Sequence, residues 1–113
     1  MSSITISVDA LRSVAFGSVT ASYTTLGTVF AHIMRTIRLV NTTDANVLIS
    51  FDTVNDNIIL PAGSFVLYDV CANTETNQLG FFFRNGTQLY LKRESGAPTS
   101  GTVYAECTYG TGE

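Results

Sequence analysis

The chain has 113 residues and a formal net charge of −3, with 13% charged and 45% hydrophobic side chains. This length fits one domain, residues 1–113, with a single core. Only 6 residues are Lys or Arg, which excludes the dense cationic patch that binds phosphates. No apolar run approaches the ~18 to 20 residues of a membrane-spanning helix. We therefore expect neither nucleic acid nor a membrane as a partner.

Neutral polar side chains, chiefly Thr, Ser and Asn, take the place of the missing charges, because the charged share is about half of the ~25% found in globular proteins. Such a surface repels neighbouring molecules weakly, which favours extensive burial against other proteins in an assembly. An ordinary all-β domain with Thr-rich strands accounts equally well for the same composition.

The N-terminal region begins with a strand pattern that then weakens. Residues 4–8 alternate between aliphatic and polar side chains, which predicts a strand with one wet face. Alternation is weaker around Leu11, Val14 and Phe16. We interpret residues 1–16 as a candidate N-terminal arm, followed by one or two short strands.

The middle of the chain predicts a hairpin over residues 34–52. Residues 33–40 place Ile33, Ile37 and Leu39 on one side and Met34, Thr36, Arg38 and Val40 on the other. A helical stripe also fits this pattern. Four β-branched residues and the polar turn that follows favour a strand. Residues 47–51 alternate in the same way and supply the second strand.

The remaining segments predict further short strands and turns. Residues 58–63 are a short strand ended by a turn, because Pro61 lacks a backbone donor and Gly63 tolerates positive φ, and residues 64–70 form the next strand. A polar loop over residues 72–78 follows.

Residues 80–84 and 87–93 are predicted to form a hairpin around Asn85-Gly86, the preferred pair for a two-residue type I′ turn. The last strand covers residues 102–109, and we expect the tail, residues 110–113, to be flexible. About eight short, mostly antiparallel strands predict an all-β, single-domain β-sandwich or jelly-roll.

Reactive chemistry is sparse. His32 is the only histidine, so a structural or surface role is favoured over catalysis. Asp52 and Asp56 lack the ligand spacing of a calcium loop and are interpreted as solvated turn residues. Cys71 and Cys107 have no metal-ligand spacing, and we expect both to be free thiols. We therefore predict no enzyme, no catalytic residue, no cofactor and no metal.

Two segments match the glycosylation pattern, Asn41-Thr42-Thr43 and Asn85-Gly86-Thr87. The N-terminus has neither the basic nor the apolar region of a secretory signal. We expect synthesis in a cytoplasm, where these asparagines serve turns and both cysteines stay reduced.

Interface candidates come from apolar side chains without an obvious place in a core. A triple aromatic at residues 81–83 fits either a strand covered on both faces or an aromatic anchor in a subunit interface. The candidate interface residues are Leu11, Val14, Phe16, Phe81, Phe82 and Phe83.

Several segments in order carry a family resemblance. They are Leu11 to Ser18, Ile37 to Asp44, Leu60 to Asp69, Gly86 to Lys92 and Gly101 to Tyr104. Across residues 11–109 the chain resembles small virion structural proteins of tailed bacteriophages. The resemblance implies no catalytic residue.

The resemblance implies a subunit made in the host cytoplasm and incorporated into the virion in many copies. Capsid decoration or cementing is the first expectation, and a head-tail or tail accessory role is the alternative. Expected partners are copies of the same chain and the major capsid, portal or tail proteins, in a homo-oligomer or a lattice. A carbohydrate-binding module is an alternative of another class, in which five tyrosines supply a stacking platform. These are Tyr23, Tyr68, Tyr90, Tyr104 and Tyr109.

Overall fold

The computed structural model describes residues 4–69 and 83–112, with side chains for residues 6–69 and 83–110. It confirms an all-β sandwich of two antiparallel sheets. The described residues form one 3-10 turn, η1 (Phe16–Ser18), and nine strands. The strands are β1 (Ile4–Val8), β2 (Arg12–Ala15), β3 (Thr24–Thr25), β4 (Met34–Asn41), β5 (Val47–Ser50), β6 (Ile58–Leu60), β7 (Phe65–Asp69), β8 (Tyr90–Arg93) and β9 (Thr102–Gly112).

The first sheet contains five strands and the second contains four. The first sheet has the order β1-β9-β4-β7, with β2 also paired to β9, and the second has the order β3-β8-β5-β6. The long strand β9 pairs with β1 at its C-terminal end, where Ile4 lies opposite Gly112. It pairs with β2 at its N-terminal end, where Ala15 lies opposite Thr102. β9 and β4 are thus the central strands of the first sheet.

The core lies between the sheets. Its main contributors are alternate residues of β4, β5, β8 and β9, which are apolar because each of these strands turns one side toward the opposite sheet. The buried hydrophobic residues are Val19, Leu26, Phe30, Met34, Ile37, Leu39, Val47, Ile49, Leu60, Leu89, Leu91, Val103, Ala105 and Cys107.

Strand β4 contains an irregularity that corrects its predicted alternation. Met34 pairs with Tyr109 and Thr36 with Thr108, so the register shifts at Arg35. A bulge of this kind inserts one residue and changes which side chains share a face. Met34 therefore lies in the core, whereas Ile33 is 47% exposed, the reverse of the period-two prediction.

The predicted hairpin over residues 34–52 is wrong. β4 belongs to the first sheet and β5 to the second, so residues 42–46 carry the chain across the sandwich. Both strands alternate because both cover the same core, and a hairpin within one sheet would give the same pattern. Where the prediction has a hairpin turn, the chain passes from one sheet to the other, and the buried polar side chain of Asn41, at the end of β4, lies at this corner.

Asn41 is 1% exposed and connects three segments. Its amide Nδ2 donates to the carbonyls of Ala45 (2.9 Å), Leu60 (3.0 Å) and Pro61 (3.3 Å). Its Oδ1 accepts from the Thr43 backbone N–H at 2.9 Å and from Thr43 Oγ1 at 2.6 Å. This arrangement confirms the turn interpretation of Asn41-Thr42-Thr43, and it buries the amide that a glycan would need.

Both ends of the chain differ from expectation. Residues 4–8 and 12–15 of the candidate arm form β1 and β2 and pair with β9. β9 continues through Gly110 to Gly112, so the described part of the predicted tail is a paired strand. Backbone pairing of the two ends with each other satisfies N–H and C=O groups that a free arm or tail would leave to water.

The Asn85-Gly86 turn is present, but its type and the pairing of Phe83 differ from the prediction, and residues 80–82 of the predicted hairpin lie outside the described residues. Thr87 N–H donates to Arg84 O at 3.2 Å, and only Gly86 has a positive φ, 91°. A type I′ turn needs positive φ at both central residues, whereas this pattern is that of a type II turn. Phe83 forms a bridge with Met34 instead of the predicted hairpin partner.

The side chain of Arg12 connects β2 to the loop that precedes β4. Its side chain is 6% exposed and its Nη1 lies 2.8 Å from Asp9 Oδ2. Nε donates to Thr28 O at 3.0 Å, and the guanidinium lies 5.0 Å from the Phe30 ring centroid. Gly27 has φ +73°, and a Cβ there would lie 2.5 Å from Arg12 Cγ, so the close approach requires glycine.

Candidate interaction surface

Strand register defines the surface opposite the core on the first sheet, which we call the outer face. Arg38 lies opposite both Leu67 and Glu106. Directly opposed residues of antiparallel strands share a face, and alternate residues along each strand share it too. The outer face thus includes Ile6, Val8, Ser13, Thr36, Arg38, Val40, Phe65, Leu67, Asp69, Tyr104, Glu106 and Thr108.

Large apolar side chains are exposed along both edges of the outer face. On the β1 edge, Ile6 is 55% and Val8 76% exposed, and Leu11 just beyond this strand is 57% exposed. On the β7 edge, Phe65 is 60% and Leu67 54% exposed. Single exposed aliphatic residues are ordinary, but a group of them on one sheet face is typical of an interaction site.

The centre of the outer face is polar. Arg38 Nη1 lies 2.8 Å from Glu106 Oε1, and their side chains are 43% and 46% exposed. The hydroxyls of Thr36 and Thr108 share a hydrogen bond of 2.5 Å. An ion pair this exposed contributes only about 0 to 1 kcal/mol to folding, so it remains available to a partner.

A shallow groove of about 510 Å³ runs across this face. It is lined by the apolar Val8, Leu11 and Leu67 and by the Arg38–Glu106 pair. Asp9 also lines the groove, which thus combines apolar walls with one basic and two acidic side chains and suits a partner surface of mixed character.

The six predicted interface residues are dispersed. Leu11 lines the groove and Phe16 is 40% exposed at the start of η1. Val14 and Phe83 are partly buried against the core, and Phe83 lies 6.2 Å from the Tyr68 ring and 6.4 Å from the Phe51 ring. Phe81 and Phe82 lie outside the described residues.

Sequence reasoning missed most of the outer face. Ile6, Val8, Phe65 and Leu67 belong to predicted strands, and their apolar side chains fit a core equally well. The clearest signal in the sequence is in β7, where Phe65 to Tyr68 are four consecutive apolar residues. One buried side of a strand cannot hold all four, and in the structure every residue of β7 is exposed or half-exposed.

The polar candidates have structural partners. His32 stacks on Tyr109 with ring centroids 3.8 Å apart. Asp52 accepts hydrogen bonds from the backbone N–H groups of Asn55 and Val54, which lower its pKa. Asp56 accepts from the Tyr23 hydroxyl. Among the described residues no cluster of His, Cys, Asp and Glu could hold a metal ion.

Cys107 is a buried free cysteine. Burial raises the pKa of its thiol to about 11, which keeps it protonated and unreactive at neutral pH. Cys71 lies outside the described residues. Within residues 4–69 and 83–112, no helix is long and apolar enough to cross a membrane.

The five tyrosines do not share one face. Tyr104 lies on the outer face, while Tyr68 and Tyr109 are opposite the core residues Ile37 and Met34. Tyr90 belongs to the second sheet, and the remaining one, Tyr23, precedes that sheet's first strand. A flat platform for sugar stacking needs neighbouring, coplanar rings, which this distribution does not provide.

Comparison with known proteins gives no relative. A scan against protein-family models found no match, and searches of curated proteins and of solved structures found none either.

Proposed function

We propose that the protein is a non-enzymatic structural subunit of a bacteriophage virion, most simply a capsid decoration or cement subunit that packs on the particle in many copies. A head-tail or tail accessory role in the same virion is the alternative. The observation that carries the structural role is the outer face, which holds exposed apolar side chains on both edges of an otherwise well-formed sandwich.

Burial of the outer face supplies the energy for assembly. Each large aliphatic or aromatic side chain removed from water contributes about 1.5 to 3 kcal/mol, and the five side chains on the two edges are at least half exposed. The small net charge of −3 adds little repulsion between copies.

A lattice would strengthen these modest contacts. When many copies bind a repeating surface, each bound neighbour raises the effective concentration of the next contact, so weak individual interfaces suffice. The virion assignment rests on the segment resemblance over residues 11–109, and the sandwich with its outer face is compatible with it. The dispersed tyrosines do not favour the carbohydrate-binding alternative.

The test begins with the neighbouring genes. The product of an adjacent capsid, portal or tail gene is produced together with this chain, and the assembled particles or rings are separated on a density gradient. We expect the chain to co-sediment with them at a fixed stoichiometry. Loss of co-sedimentation in Leu67→Asp shows that assembly on the particle depends on the outer face.

Val54→Asp is the matched control, because Val54 is 80% exposed in the loop between β5 and β6, away from the outer face. It should co-sediment like the unchanged chain. A gene neighbourhood without virion genes, or particles that never carry the chain, would refute the proposal.

A further inference from the structure

We infer that the outer face is covered by the outer face of a second copy, in a two-fold dimer in which Arg38 of each chain lies against Glu106 of the other. This inference deepens the proposed function and rests on its self-association part. It specifies the occupant of the surface and the symmetry that relates the copies.

Charge placement selects the symmetry axis. Arg38 on β4 and Glu106 on β9 are direct cross-strand neighbours on the two central strands of the first sheet. If two outer faces meet about an axis that runs parallel to the strands and between β4 and β9, each arginine lies over the glutamate of the other chain. An axis across the strands would instead place Arg38 over Arg38 and Glu106 over Glu106, which like-charge repulsion disfavours.

The same operation brings the two edges of the outer face together. Rotation about the strand-parallel axis places the β1 edge of one copy over the β7 edge of the other. This rotation keeps each residue at its level along the strands, so Leu11 of one copy lies near Leu67 of the other, and both are more than half exposed in the single chain. Val8 is at the level of Asp69, and Phe65 is at the level of Ser13, so these two apolar residues meet polar ones. A two-fold interface is self-complementary when each edge meets its counterpart in this way.

The size of the face sets the strength of the dimer. Four strands spaced ~4.8 Å apart and about seven residues of ~3.4 Å each give a flat projection of roughly 450 Å² per copy. In this flat estimate, which leaves out the additional area of the uneven side-chain surface, two copies together bury roughly 900 Å². This area is close to the ~1,000 Å² expected of a specific interface. The dimer should therefore be weak in isolation and reinforced in an assembly.

The test exploits the reciprocity of the two charges. Sedimentation velocity is measured from about 1 μM to about 1 mM for the unchanged chain, Arg38→Glu and Glu106→Arg, a range suited to a weak interface. Each single variant places like charges against each other twice, and we expect its dimer dissociation constant to rise about 10- to 100-fold.

Mixing the two variants separates contact between chains from the ion pair within one chain. In the mixture, Arg38→Glu offers two acidic side chains to the two basic side chains of Glu106→Arg, so a heterodimer should form with about the affinity of the unchanged dimer. Loss of the internal ion pair alone would not be repaired by mixing. Circular dichroism and thermal melting of each variant verify that the sandwich is retained.

Three results would overturn the inference. An unchanged chain that remains monomeric throughout the concentration range excludes the dimer, whether or not the chain co-sediments with particles. An unchanged chain that dimerises while the mixture shows no recovery excludes this geometry and leaves the proposed function standing. Val54→Asp should dimerise like the unchanged chain, and a weakened dimer in that variant would also contradict this surface.

Discussion

Replacing Asn41 with alanine should destabilise the fold far more than the same replacement at an exposed asparagine. The Asn41 side chain is 1% exposed, and its two ends bond the Thr43 N–H at 2.9 Å and the Leu60 carbonyl at 3.0 Å, both buried. A buried group left without a partner costs about 1 to 3 kcal/mol. Two such groups give a loss of roughly 2 to 6 kcal/mol, a large fraction of the ~5 to 15 kcal/mol typical of a domain.

Asn46→Ala is the matched control. The Asn46 side chain also makes two hydrogen bonds, to Glu94 Oε1 at 3.1 Å and from Ala62 N–H at 2.9 Å, but both are exposed to water. Water replaces those bonds, so the loss should stay below about 1 kcal/mol. Urea unfolding followed by circular dichroism gives both values. A free energy of unfolding for Asn41→Ala within ~1 kcal/mol of that for Asn46→Ala would refute the assignment of Asn41 as the corner between the sheets.

Three further predictions follow from buried groups and from glycine geometry. Burial raises the pKa of Asp9, but this effect is outweighed by hydrogen bonds from the Arg12 side chain and the Ala10 backbone and by the positive charge of Arg12. The pKa of Asp9 is therefore lowered from 3.8. The ionised Asp9 carboxylate stabilises the fold above pH 3.8, and this contribution is lost as the pH falls through the lowered pKa. Asp9→Asn should therefore be less stable than the unchanged chain at pH 7, and its urea midpoint should fall less than that of the unchanged chain on acidification. In a Cys71→Ser background, Cys107 should not react with a thiol reagent near pH 8 until denaturant is added, since its thiol pKa is about 11; rapid native labelling would contradict its burial. Gly27→Ala should lower the melting temperature more than Gly63→Ala, because both have φ +73° but only Gly27 has atoms within 4 Å of the added Cβ; equal losses would show that the close approach is unimportant.

The candidate surface was only partly predictable. Leu11 was predicted as an interface residue because a solitary leucine outside regular alternation has no obvious place in a core, and in the structure it lines the groove. Val14 followed the same reasoning and packs against the core instead. Arg38 and Glu106 are 68 positions apart in the chain, and no local pattern indicates that they meet at the centre of one face.

The sequence by itself determined where strands form, because period-two alternation and turn-forming residues act over a few neighbouring positions. β1 over residues 4–8 has the predicted bounds, and β6 ends before Pro61, where a turn is predicted. Tertiary structure decided which strands pair and which side of each strand is covered. Alternation shows that the two sides of β1 differ, but it carries no information on which side faces another sheet. Pairing of β1 with the distant β9 turns Ile6 and Val8 outward, where a core position was equally compatible with their apolar character.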